Sequence, residues 1–262
     1  MKKLALIGTG FLGGIIARAW RDGLLPDYEL VGITGRNPEK TGALAQEVGC
    51  PAFPDIDRLL SSVHPDVVAE CAGVQAVRDH AETILTAGAD LITLSIGAFA
   101  DGEFYSRVAQ TARDSGATVH IASGAVGGFD VVRTIALMGR VSGGVKGRID
   151  TRKGPRSLQN TPLYAEDLLQ TQRTVFSGNA KEAIALLPTK VNVAVAASLA
   201  CSTPEETGVS VTSVPGFVGD DHCITVEGGD AKATVDIYSA TSAIAAWSVV
   251  SKLNDLVSPI QF

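Results

Sequence analysis

The sequence predicts an α/β protein: a Rossmann-type, doubly wound parallel sheet in the first half, then a smaller α+β unit with a mixed or antiparallel sheet. Three observations carry this. Residues 4–14, LALIGTGFLGG, are a short apolar run that enters a turn with glycines at 8, 10 and 13, before the helically spaced IIARAW. Strand-like and helix-like runs then alternate at roughly 25 to 30 residues per unit as far as residue 128, a rhythm that right-handed crossovers in a parallel sheet accommodate. After Phe129 the pattern changes, and its last part alternates with period two, the mark of strands with one buried face.

The opening stretch is a strand, a tight turn and a helix. Gly8 permits the turn, Gly10 leaves room for a pyrophosphate against the backbone, and Gly13 lets the helix lie close to the strand. The helix opens at Phe11, Leu12 and Gly13, whose N–H groups lie at the positive end of the macrodipole and would take the anion. A second strand is expected at 28–34, and Asn37-Pro38 opens the helix after it. NAD sites normally end this strand in a carboxylate that holds the ribose 2′-hydroxyl. Here the residues are Thr34-Gly35-Arg36-Asn37, so NADP is favoured over NAD, with Arg36 and Asn37 as contacts. The alternative for Arg36 is a solvated loop cation.

Residues 52–53 make a short third strand and 56–62 a helix. PDVVAECAG then ends a strand at Cys71, Ala72 and Gly73, ADLITLSIGAFAD gives a strand ending near Ser95, and ATVHIASGAVGG closes the series. Ligands of such sheets sit at the carboxyl ends of the strands. The turns at 71–74, 95–98 and 123–128 are therefore the expected walls of a nicotinamide pocket, with Cys71, Ala72, Gly73 and Ser95 as contacts. The alternative for each is an ordinary connection.

In the second half, FDVVRTIALMG is helical, GGVKGRIDTRK an exposed strand and GPRSLQNTP a loop. RTVFSG is strand-like, and AKEAIALL and NVAVAASLACS are helices divided by Pro188. GVSVTSVP, DHCITVEG and AKATVDIYS are strands of a second sheet, expected to be antiparallel. The expected domains are 1–126 for the dinucleotide and 127–239 for substrate, with a helix in 240–262 packing back on the first. Tight packing of the two halves, with the active site between them, is expected.

The chain has 262 residues, 45% of them hydrophobic, enough for one large or two modest cores, which argues against a disordered chain. Its net charge of −6 offers no footprint for nucleic acid or an acidic membrane. No stretch approaches the roughly 18 apolar residues of a spanning helix, and no secretory leader is expected, since Lys2-Lys3 leads directly into a short strand broken by glycine. Four cysteines, Cys50, Cys71, Cys201 and Cys223, have no C-x-x-C spacing and are expected as free thiols in the cytoplasm. No metal site is expected, because His222 and Cys223 are neighbours on a strand and face opposite ways.

A dehydrogenase of this kind needs a proton donor or acceptor beside the carbon that exchanges hydride, and histidine suits that role. His64 precedes Pro65 at a strand entrance, His80 lies in a surface-like helix and His120 lies within a strand. His222 follows the polar turn Gly219-Asp220-Asp221, where a cleft is expected and either aspartate could orient the imidazole.

At this point the chain resembles the L-aspartate dehydrogenase family. The resemblance is carried by LALIGTGFLGG, ITLSIGAFAD, IASGAVGGFD, TRKGP, VFSGNAKEAIALLPTKVNVAVAASLA and DHCITVEG. It implies reversible oxidative deamination of aspartate to oxaloacetate and ammonia through an imine, with His222 catalytic and Ala125 and Asn192 beside the nicotinamide. The two substrate carboxylates call for cations, and Arg152, Lys153 and Lys190 are the candidates. A homodimer is expected. Three positions depart from the family pattern. Asp220 stands where an amide is expected, and its charge would raise the histidine pKa. Val214-Pro215 replaces an Asp-Pro, and SATSAIAAW replaces a segment containing Asn-Pro. These leave two alternatives: a related dehydrogenase or reductase for another small amino or imino acid, and a non-catalytic, cofactor-binding sensor.

Overall fold

The run Lys2–Ile7 forms strand β1 of the computed structural model, and its last four residues are buried, as a parallel strand covered on both faces requires. The structure describes residues 1–187 and 192–261. By contacts the chain divides into two compact units, Met1–Gly124 with Ala243–Phe262, and Ala125–Ser242.

In the first unit β1 leads through helix α1 (Phe11–Arg21) to β2 (Tyr28–Thr34), α2 (Pro38–Val48), β3 (Ala52–Phe53) and α3 (Ile56–Val63). The second half repeats the motif as β4 (Val67–Glu70), α4 (Val74–Thr86), β5 (Asp90–Thr93), α5 (Gly102–Ser115) and β6 (Val119–Ile121). The six strands are parallel in the order β3-β2-β1-β4-β5-β6, so the winding reverses between β1 and β4. That reversal is the crevice where such sheets bind their ligands. Local signals set the helix starts: Asn37 accepts from Lys40 N, Asp55 from Arg58 N, and Asp101 from Glu103 N and Phe104 N.

The second unit runs α6 (Phe129–Val141), β7 (Val145–Lys153), β8 (Arg173–Asn179), α7 (Ala180–Leu186), α8 (Asn192–Cys201), β9 (Thr207–Ser213), β10 (Asp220–Gly228) and β11 (Ala231–Ser239). Its sheet has the order β11-β10-β7-β9-β8 and is mixed, because β7 is parallel to β9 and antiparallel to β10. This corrects the expectation for residues 143–153. They form the central strand rather than an exposed one, because partners from two distant segments pair with both edges of β7. Lys146, Arg148 and Arg152 give the exposed appearance from one face, while Gly147, Ile149 and Thr151 are buried on the other. Helices α6 and α8 pack on this sheet.

The last helix, α9 (Ala243–Val257), belongs to the first unit. Its Ala246, Val249, Val250 and Leu253 join Leu4, Leu6, Ile16 and Ile33 in one core. Tyr28 Oη donates to Leu253 O at 2.8 Å, and burial pushes this phenol's pKa up to about 12, which keeps the donor proton in place.

Candidate active site

The glycine turn is shaped by close backbone approach at two of its positions and by open space at the third. Gly8 has φ +111°, and a Cβ there would lie 2.8 Å from the Cys71 carbonyl carbon. A Cβ on Gly13 would collide with Gly8 O. At Gly10 a Cβ would meet no atom within 4 Å, so the surface there is open. Helix α1 begins without a side-chain cap and with no acidic residue in its first turn. Its N-terminal N–H groups, at Phe11, Leu12 and Gly13, therefore suit the pyrophosphate of a dinucleotide.

Beyond β2, Arg36 is exposed and makes no ion pair among the described residues. Asn37 spends its side-chain oxygen on Lys40 N at 3.0 Å, as the cap of α2. Thr41 Oγ1 stands 2.9 Å from Asn37 O and 3.4 Å from Thr9 Oγ1, tying this loop to the glycine turn.

Across the switch point, the Cys71 thiol turns back to Ile7 O and Gly8 O at 3.4 and 3.6 Å. Burial, and after it the Glu70 charge, push its pKa up, so it stays a protonated thiol. Its side chain packs under the turn, and the backbone of Ala72 and Gly73 is what this loop offers a ligand. Ser95 is buried, and its hydroxyl donates to Glu70.

In the second unit, β10 carries His222 to the face of the sheet that the helices cover, with only 3% exposure. The register sets His222 opposite Thr151, Asp221 opposite Arg152, and Asp220 opposite Lys153. Side chains alternate along strands, so His222, Thr151, Asp220 and Lys153 share one face while Arg152 and Asp221 share the other. His222 Nδ1 lies 2.9 Å from Thr151 Oγ1. The partner of the imidazole is thus a threonine on the neighbouring strand rather than either aspartate. Asp220 pairs with Lys153 at 3.1 Å, and Asp221 with Arg152 at 3.7 Å on the opposite face.

The His222 pKa is pushed down to about 4, by burial first and the Lys153 charge second, with Asp220 opposing. The Asp220 charge acts in the expected direction, raising the pKa, but burial and Lys153 outweigh it. At neutral pH the imidazole is uncharged and can accept a proton.

Thr151 and Lys153 line a cavity with Ile149, Ser157, Leu158 and Val193. Asn192 begins α8 one residue before Val193 and is half-buried. Ala125 lies in the turn after β6, and the same turn continues to Gly127, where a Cβ would touch Ile237, the register partner of His222. Lys190 falls outside the described residues. The remaining histidines stand apart: His64 ends α3, His80 is in α4, and His120 Nε2 lies 3.5 Å from Asp90. Burial lowers the His120 pKa. Thr151 and Glu70 escaped the sequence reading. Thr151 sits two positions before its candidate neighbour Lys153, on the same strand face, and Glu70 is the lone carboxylate ending an apolar strand.

Among the described residues no helix is long and apolar enough to cross a membrane. The glycine turn, placed at the switch point of a six-stranded parallel sheet, defines the class of dinucleotide-binding α/β proteins. Residues 8–122 match a family profile described as the NAD-binding domain of homoserine dehydrogenase, and residues 134–256 match one described as the C-terminal domain of aspartate dehydrogenase. The chain is 34% identical over 275 residues to an L-aspartate dehydrogenase of Methanosarcina mazei, covering 100% of this chain and 99% of the relative. It is 31% identical over 268 residues to one of Methanococcus maripaludis, with the same coverage. The crystal structure of aspartate dehydrogenase from Thermotoga maritima superposes with a TM-score of 0.80 at 26% identity, covering 100% of this chain and 99% of that one. The chain belongs to the L-aspartate dehydrogenase family, and it is an amino-acid dehydrogenase.

Proposed function

We propose that this protein catalyses the reversible oxidative deamination of L-aspartate, with water and NADP⁺ in preference to NAD⁺, to oxaloacetate and ammonia. The observation that carries this reading is His222, a buried imidazole kept neutral at physiological pH, bonded to Thr151 and beside the Lys153–Asp220 pair. When bound, the nicotinamide supplies the acceptor for the hydride leaving the substrate Cα. Water must then add to the resulting imine, and His222 takes the proton of that water and returns it to the departing amine. Thr151, accepting from Nδ1–H, leaves the Nε2 lone pair available as the base. Lys153 holds a substrate carboxylate, and Asn192 and Ala125 serve the nicotinamide amide and ring. Arg152, on the opposite sheet face, has no part in this arrangement.

The reading is tested by following NADPH and NADH consumption with oxaloacetate plus ammonium, with each reactant omitted in turn. Oxidation that needs both reactants is the expected result, with NADPH faster. Oxidation without ammonium would point to a keto-acid reductase, and none with intact nucleotide binding to the sensor. Asp220 favours a second reading, in which another small amino or imino acid is the substrate, since its carboxylate offsets part of the Lys153 charge that a dianion would use. A panel of amino acids in the deamination direction separates the two.

Arg36 follows a strand end without a carboxylate, which supports the NADP preference. In Arg36→Ala the NADPH to NADH ratio of kcat/KM is expected to fall on the order of tenfold, the worth of one charge-assisted contact. An unchanged ratio would remove Arg36 from the cofactor site.

The pH profile tests the base. His222 works only when deprotonated, and Lys153 helps to lower its pKa. Replacing Lys153 with Met is therefore expected to move the acid limb of kcat/KM upward, and Asp220→Asn to move it down. A limb that stays put in both variants would mean that another group titrates there. A homodimer is proposed through the face of the second sheet that carries the exposed Lys146, Arg148 and Arg152, and the cytoplasm as its compartment. Sedimentation in solution checks the first.

A further inference from the structure

A carboxylate is buried beneath the two loops that follow β4 and β5. Glu70, the last residue of β4, is 1% exposed and forms no ion pair among the described residues. Its Oε1 accepts from Ala72 N at 2.7 Å, Gly73 N at 2.8 Å and Ser95 Oγ at 2.9 Å. Its Oε2 accepts from Thr93 Oγ1 at 2.6 Å and Ser95 N at 3.3 Å. A buried carboxylate is costly unless every lone pair is met, and an apolar residue fills a sheet core as well or better. The strand neighbours Val68 and Ala69 do so here. What Glu70 adds is a single anchor for two loops, since all its donors come from 72–73 and 93–95.

These loops lie at the carboxyl ends of strands in the β4–β6 half of the sheet. In a sheet of this order one half takes each mononucleotide of the cofactor, and the β1–β3 half, with the glycine turn, takes the adenosine side. We propose that Glu70 is a positioning residue for the nicotinamide half of the cofactor, clamping the backbone of Ala72-Gly73 and Ser95 into the shape that receives it. The inference rests on the dinucleotide lying across the β1/β4 switch point. The hydrogen bonds also leave Ser95 Oγ and the Ala72 and Gly73 N–H groups committed to Glu70, so the loops present backbone carbonyls and Cα surface rather than those donors.

Calorimetric titration of wild type and Glu70→Ala with whole NADP⁺ and with its adenosine half, 2′-phospho-ADP, tests this. The expected result is at least about tenfold weaker binding of NADP⁺ with the adenosine half bound within about twofold of wild type. Equal losses for both ligands would mean general loosening and overturn the proposal, as would no loss for either. If Glu70→Ala does not fold, Glu70→Gln and Thr93→Val decide in its place. Gln keeps an acceptor for Ala72 and Gly73 but sets an NH2 against Ser95 N–H, and Val removes one donor. Each is expected to weaken NADP⁺ about threefold and spare 2′-phospho-ADP. Failure of the wild type to bind NADP⁺ or NAD⁺ would strike the switch-point reading itself and not the role of Glu70.

Discussion

His222→Ala is expected to lower kcat on the order of a hundredfold or more while the dinucleotide dissociation constant stays within a few-fold of wild type. The separation follows from where the residue stands. His222 is on β10 in the Ala125–Ser242 unit, whereas the glycine turn is in the unit that begins at Met1. Removing the imidazole leaves Thr151 Oγ1 without its 2.9 Å partner but does not touch α1. The measurement is steady-state deamination of aspartate beside a nucleotide titration. Unchanged turnover would sink the assignment of His222, and a joint collapse of turnover and nucleotide binding would show a folding defect, to be checked with His222→Gln.

Gly10→Ala and Gly13→Ala are expected to fail in opposite ways. Gly10 has φ −84°, which alanine adopts freely, and a methyl there meets nothing within 4 Å. Gly10→Ala should therefore keep its Tm and lose at least about thirtyfold in dinucleotide affinity, because the methyl occupies the space of the pyrophosphate. At Gly13 the methyl collides with Gly8 O, a backbone atom that no rotamer change can move aside. Overpacking of this kind costs about 1 to 3 kcal/mol, and in a protein of this size each kcal/mol lowers Tm by about 2 to 4 °C. Gly13→Ala should thus melt several degrees lower whether or not nucleotide is present. Thermal melts and titrations of the two variants distinguish the roles, and a Gly10→Ala protein that binds normally would move the pyrophosphate away from this turn.

Much of the first unit was legible in the chain because its signals are local. The strand limits 28–34 and the helix opening at Asn37-Pro38 agree with the observed β2 and α2, set by an apolar run and by the Asn-Pro cap. The last three strands were likewise found from their period of two. The exposed strand expected at residues 143–153 is instead the central one, because alternating Lys and Arg describe one face of a strand and say nothing about its edges. Whether an edge is paired depends on segments 207–213 and 220–228, which come from far along the chain.

The candidate site divides in the same way. The sequence by itself determined the α/β class, the glycine turn and the family, because a G-x-G-x-x-G turn constrains atoms within a few residues of one another. Only the tertiary structure decided that Thr151 holds His222, that Lys153 and not Arg152 shares its face, and that Glu70 joins two loops. Those facts depend on strand register between residues as far as 71 apart in the chain, where a shift of one residue exchanges the two faces. The lowered pKa of His222 arises chiefly from burial, a property of the packed chain that no short segment carries.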